Sequence, residues 1–260
     1  MSEIIFAEPR TFYGSYEDLR SLIRLSNFKT CYIDEIDPQS DNAYIITIRN
    51  GEIGDGWADA KAKIVLYDLE WRRAPEAPIP GVAEVWMCDK WQAELTGSRY
   101  VPVGGHAGLR QSIQVHPEPP YDVAYLAYMT YRRQVIHAEL QARGVKLTPT
   151  SAWGEERDRL LNASRVYLHV HQHDDIPAVP GLRLVVAAAY GLPVVTEECA
   201  DYGVFRSFLI HEPIAALPDF VEWLLGVEQF HWSAYARLGA ALHHFLCVEH
   251  TFRKGVEAAL

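Results

Sequence analysis

Short runs of β-branched and aromatic residues recur through the first hundred positions, at 4–7, 30–33, 43–48, 63–67, 83–87 and 100–103, and they predict six strands. Amphipathic stretches lie between some of them. In the segment 16–25, Leu19, Leu22 and Ile23 form an apolar stripe behind Ser15, a candidate N-cap. Strands alternating with helices imply a parallel sheet covered on its faces. After Val103 come Gly104, Gly105 and His106, then Pro117, Pro119 and Pro120, which mark the best candidate boundary. A second series follows: strands at 122–128, 145–147, 165–171, 193–196 and 208–211, helices at 132–143, 155–163 and 182–190, and helices from 218 onward. Two consecutive α/β sheets of similar size predict a cleft between them.

Length and composition agree with this. The chain has 260 residues, of which 49% are hydrophobic and 22% charged, enough for two domains of about 130 residues without disulfide or metal staples. The formal net charge of -10 disfavours a chain that mainly grips phosphate backbones. Cys31, Cys88, Cys199 and Cys247 show no C-x-x-C spacing, and the opening MSEIIFAEPR has no leader pattern. No window reaches the about 18 uninterrupted apolar residues of a membrane span. A cytoplasmic protein without a transmembrane helix is therefore expected.

The most informative stretch is 156–203, where a helix, a strand rich in histidine, a Pro180-Gly181 turn, a second helix and a strand ending in acids follow one another. The turn delivers the chain into a helix that opens with Leu182 and Arg183, so free N–H groups and a cation stand together, an arrangement that suits a diphosphate. His169, His171 and His173 alternate and precede Asp174 and Asp175. Three imidazoles on one strand face would offer a metal site, whereas a strand end at a ligand site would bring one histidine to substrate.

This order of elements, from Tyr121 to Gly203, resembles the donor-binding domain of GT-B-fold nucleotide-sugar glycosyltransferases. The matching residues are Tyr125–Tyr128 followed by Arg132-Arg133, then Arg157-Asp158-Arg159-Leu160-Leu161-Asn162 leading to His169 and His171. Leu182-Arg183 and Gly191-Leu192-Pro193-Val194-Val195-Thr196-Glu197 complete the pattern. A glutamate pair that brackets the donor in many retaining members is replaced here by Pro180 and Val186. The first half matches through Leu66-Tyr67-Asp68-Leu69-Glu70-Trp71 on the acceptor side and through the residues before Gly104-Gly105.

The resemblance implies a compact α/β chain of GT-B type, two Rossmann-like domains facing a cleft, with 1–115 on the acceptor side and 116–260 holding the donor. It implies transfer of a sugar from a nucleoside-diphosphate sugar to an acceptor hydroxyl. That donor is a co-substrate, and no further cofactor is expected. No D-x-D is present, so metal-independent chemistry is expected. Arg132, Arg133, Gly181, Leu182 and Arg183 are candidates for the diphosphate, Trp153 for the base, His171 for the donor side, and Glu197 or Glu198 for the ribose. For acid–base work, Glu70 and Asp55 are preferred because each follows a predicted parallel strand. The acceptor stays open among saccharide, small molecule, protein and modified DNA. A DNA-base glycosyltransferase, with a basic patch at Lys61, Lys63, Arg72 and Arg73, and a non-catalytic sugar-nucleotide-binding module are the competing readings.

Overall fold

The computed structural model describes residues 3–10, 17–47, 57–69, 79–109, 118–226 and 229–260, the last without the side chains of 229–231. Two compact units emerge, Met1–Val103 with Phe252–Leu260, and Gly104–Thr251. The expected divide at 115/116 falls outside the described residues.

The first unit holds six parallel strands, β1 (Ile4–Glu8), β2 (Lys29–Tyr32), β3 (Ala43–Ile46), β4 (Lys63–Asp68), β5 (Glu84–Met87) and β6 (Arg99–Tyr100), in the order β2-β1-β3-β4-β5-β6. Five coincide with the predicted apolar runs to within two residues at either end, whereas β6 shares only Tyr100 with the run predicted at 100–103. Ala7, Tyr44, Ile46, Ile64 and Leu66 join Ile33, Ile36 and Trp57 in one buried cluster. Helix α1 (Glu17–Leu25) buries Leu19, Leu22 and Ile23, while α2 (Lys90–Thr96) is capped by Asp89, whose side chain accepts from the Gln92 N–H.

The last helix of the chain, Phe252–Ala259, belongs to this first unit and not to the second as expected. The reason is aromatic burial. Phe252 lies 5.7 Å from Phe6 and 6.2 Å from Phe28, centroid to centroid, and the Arg253 guanidinium donates to the Ser26 carbonyl at 2.7 Å.

The second unit contains β7 (Tyr121–Ala124), α3 (Tyr131–Ala142), α4 (Gly154–Asn162), β8 (Ser164–His169), α5 (Gly181–Ala189), β9 (Val194–Glu197), β10 (Leu209–Glu212), α6 (Leu217–Gly226) and α7 (Gln229–His244). A π-helical segment, Phe245–Glu249, follows α7. The four strands are parallel in the order β10-β9-β8-β7. The strand predicted at 145–147 reduces to one parallel bridge, Val123 with Leu147, on the far side of β7. Backbone bonds from Asp122 and Val123 N–H to the Lys146 carbonyl and from Thr148 N–H to the Val123 carbonyl hold that edge, and side chains add to them: Asp122 accepts from the Lys146 N–H at 2.9 Å, and the Thr148 hydroxyl accepts from the Tyr125 N–H at 3.0 Å.

Helices α3 and α6 share a core with the sheet through Ile136, Leu140, Leu217, Val221 and Leu224 against Val123, Val166, Leu168 and Val195. Helix α5 is apolar nearly all round, and α7 packs on it. Gly239 of α7 presses onto the turn before β9, where an added Cβ would stand 2.3 Å from the Gly191 carbonyl oxygen. After β7 the chain runs out to the Leu147 bridge on one side, then returns to β8 on the other. The carboxyl ends of β7 and β8 therefore flank the reversal, the place where open α/β sheets hold ligands.

Candidate anion site of the second unit

At that reversal the chain brings together Arg132, Arg133, His169, His171, Arg183 and Glu197. Thr130 precedes α3 and donates to the Gln172 carbonyl at 3.2 Å, tying the start of the helix to the segment after β8. Arg133, only 2% exposed, donates to the carbonyls of Val170 at 2.8 Å and Tyr128 at 2.9 Å, and no carboxylate neutralises it among the described residues. Burial, reinforced by the Arg183 charge, pushes Arg133 down to about 10.

Arg132 is held differently. It donates to Glu197 and Asp174 and, at 3.4 Å, to the His171 carbonyl. Burial works against its charge, but the two carboxylates outweigh that and raise its pKa. Glu197 gives its second oxygen to His171 Nδ1 at 2.8 Å, with both side chains almost fully buried. Desolvation would raise the Glu197 carboxyl, yet hydrogen bonds from His171 and Arg132 hold it below its ordinary value. Both oxygens of this candidate ribose contact are thus engaged inside the protein.

Helix α5 starts after Pro180, which supplies no side-chain cap. The N–H groups of Arg183 and Leu184 return to the Pro180 carbonyl at 3.1 and 3.2 Å. That leaves the Gly181 and Leu182 N–H groups without a partner among the described residues, so the open donors begin one residue earlier than Leu182-Arg183. The Arg183 guanidinium makes no hydrogen bond or ion pair among the described residues. Three guanidiniums and two open amides against one buried carboxylate and the exposed Asp174 give this edge the character of an anion site.

His169 ends β8, and His171 follows two residues later with its ring 5.1 Å away. Nε2 of each is buried and unpartnered. Burial first, then the charges of His171, Arg183, Arg133 and Arg132, hold His169 well below the ordinary histidine value and keep it neutral. His173 is exposed, so the three imidazoles do not converge, and among the described residues no group of three or more His, Cys, Asp or Glu is placed to hold a metal ion. Trp153 stands 54% exposed just before α4. Glu198 is exposed, and its N–H bonds to the Glu212 carbonyl at 2.8 Å. Asp55 and Glu70 lie outside the described residues. The pairings that sequence reasoning missed are Asp174 on Arg132 and Glu197 on His171.

No protein-family model matches the chain. An uncharacterized protein, L140 of Acanthamoeba polyphaga mimivirus, is 34% identical over 94 residues, which span 35% of this chain and 31% of that protein. Among solved structures, AviGT4, a glycosyltransferase involved in avilamycin A biosynthesis, superposes with a TM-score of 0.58 at 13% identity, covering 100% of this chain and 96% of that one. Trehalose-6-phosphate synthase from Burkholderia multivorans gives 0.57 at 10% identity over 96% of this chain and 75% of that one. The phage T4 β-glucosyltransferase gives 0.56 at 12% identity over 99% and 97%. At such identities the likeness speaks for architecture, and it agrees with the two parallel sheets: the chain has the GT-B fold of these glycosyltransferases, built from two Rossmann-like domains.

Proposed function

We propose that the protein is a glycosyltransferase that takes a sugar from a nucleoside-diphosphate donor held by its second unit and passes it to an acceptor hydroxyl. One observation carries the reading. Among the described residues, Arg183 without a partner, Arg133 without a carboxylate and the open amides of Gly181 and Leu182 gather positive charge at the carboxyl edge of the sheet, where a leaving diphosphate needs it. When the bond between the sugar and the diphosphate breaks, the electron pair stays on the phosphate oxygen. Guanidiniums and amides fixed in advance stabilise that charge without reorganising. Because they supply the neutralising charge themselves, the reaction needs no divalent cation, and turnover should survive a chelator.

The four cysteines are free thiols, which fits a reducing cytoplasm. No described helix is long and apolar enough to cross a membrane.

The test is release of nucleoside diphosphate from a panel of sugar nucleotides in the presence of an acceptor mixture. Turnover with one donor, lost in Arg183→Ala, supports the proposal. Binding without turnover would favour the non-catalytic module, and an unchanged rate in Arg183→Ala would remove the central role of this edge.

The likeness to a phage DNA-modifying β-glucosyltransferase favours a second reading, in which the acceptor is a modified DNA base. Its basic patch is weakened by the structure. Lys61 pairs with Asp41 at 2.8 Å and Lys63 with Glu84 at 3.2 Å. Lys63 also opens β4, at the amino end of the strand. Arg72 and Arg73 lie outside the described residues. Steep salt dependence of duplex binding would restore this reading, and a flat response would end it.

A further inference from the structure

Two acids share the Arg132 guanidinium, and they are held in opposite ways. Glu197 ends β9 with its side chain only 4% exposed, and its other oxygen is bonded to His171. Asp174 takes the Nε edge of the same guanidinium with a side chain 89% exposed. Its segment is anchored on either side. The Gln172 carbonyl accepts from the Thr130 hydroxyl at 3.2 Å, and farther on the Val179 N–H donates to the Asp201 carbonyl at 3.1 Å and the Asp201 N–H to the Pro177 carbonyl at 2.8 Å. Residues 173–175, between these anchors, are exposed. Asp174 therefore rides on a short strap whose ends stay fixed when its middle moves.

A carboxylate on a guanidinium edge imitates a phosphate, because both offer paired oxygens to the same planar fork. A phosphate arriving beside Asp174 meets a like charge and competes for the same N–H groups, so the two do not share Arg132. We propose that Asp174 is an internal competitor of the donor, a strap-borne carboxylate that holds Arg132 until a diphosphate displaces it. The inference rests on the donor-site reading above and adds a control to it. Glu197 stays in place during the exchange, because leaving Arg132 would strand a buried carboxylate. The guanidinium thus keeps its orientation from one acid while it trades the other for the ligand. Once the strap opens, Arg132, Arg133 and Arg183 face the diphosphate with Glu197 as the remaining carboxylate among the described residues.

Binding and strap opening are then one linked equilibrium, in which the apparent affinity is the intrinsic one reduced by the fraction of molecules with the strap open. The full chain is titrated calorimetrically with UDP, ADP, GDP, CDP and dTDP, and with inorganic pyrophosphate, which carries the phosphates without a base. Asp174→Asn keeps the size of the side chain and removes its charge. An ion pair with one exposed partner is weak, so this variant should bind the diphosphate about two- to fivefold more tightly than the wild type. Asp175→Asn removes an equal charge one position along the strap. At physiological ionic strength it should stay within about 1.5-fold of the wild type, because screening limits a charge that is not in contact with the guanidinium.

The strap itself is read by nitrogen-15 relaxation of the amides of residues 173–176. In the wild type they should lose order when the diphosphate saturates the site, and in Asp174→Asn they should show that looseness before any ligand is added. Equal or weaker binding by Asp174→Asn, an equal gain in Asp175→Asn, or a wild-type strap that keeps its order at saturation would overturn the proposal and leave the donor site standing. Failure of every probe to bind either the wild type or Asp174→Asn would remove both readings.

Discussion

Arg183 and Arg132 stand at the same site in opposite electrostatic situations, and replacing each by alanine should separate ligand binding from folding. Arg183 has no partner among the described residues and lies close enough to Arg133 to depress it. Its removal strands nothing and relieves a repulsion, so Arg183→Ala should change stability by no more than about 0.5 kcal/mol. In the complex the same substitution removes charge-assisted hydrogen bonds worth about 1.5–3 kcal/mol, which corresponds to about 10- to 150-fold in Kd for a nucleoside diphosphate. Arg132→Ala reverses the balance, because the side chains of Arg132 and Glu197 are 17% and 4% exposed and its loss leaves a buried carboxylate with His171 alone. Breaking such a pair costs about 3–5 kcal/mol. The lower end applies here, since His171 still donates to the carboxylate. Urea unfolding together with calorimetric titration measures both quantities. Equal losses of stability in the two variants, or unchanged affinity in Arg183→Ala, would refute the reasoning.

Two further predictions concern stability. Gly239→Ala should cost about 1–3 kcal/mol in urea unfolding, because its new Cβ would stand 2.3 Å from the Gly191 carbonyl oxygen and 2.7 Å from Pro193 N, both backbone atoms that cannot turn away. Stability should also fall with pH in two stages. Below about 6.5 the unfolded chain takes up a proton on His169 that the folded chain refuses, and below about 4.5 Glu197 begins to lose a carboxylate stabilised only in the folded state. His169→Phe should flatten the first limb and Glu197→Gln the second, read from unfolding midpoints across pH.

The elements themselves were legible in the sequence because parallel strands buried on both faces leave short apolar runs between turn residues. Strand β1 and helix α5 fall almost where their patterns place them. The 145–147 run carries the composition of a strand, yet only Leu147 bridges to β7, and side chains of Asp122 and Thr148 supplement the few backbone bonds, which apolar content does not reveal. The allegiance of the final helix turns on Phe252 meeting Phe6, a contact between opposite ends of the chain. The site was half legible. Arg132, Arg133, Arg183 and His171 announce themselves as cations and a histidine beside helix starts and strand ends. The pairing of Arg132 with Glu197, 65 positions away, depends on β9 lying beside β8. Only the sheet order fixes that, so the sequence does not show that each Glu197 oxygen already accepts a bond within the protein.

The central claim is that the second unit binds a nucleoside diphosphate at the start of α5, and thermal unfolding of the wild type and of Arg183→Ala with UDP, ADP, GDP, CDP and dTDP tests it most directly. Ligand at about 100 times its dissociation constant adds about 2.7 kcal/mol to the folded state. The account predicts a selective upward shift with one base that shrinks sharply in Arg183→Ala. No shift with any of the five, or an equal shift in the variant, would contradict it.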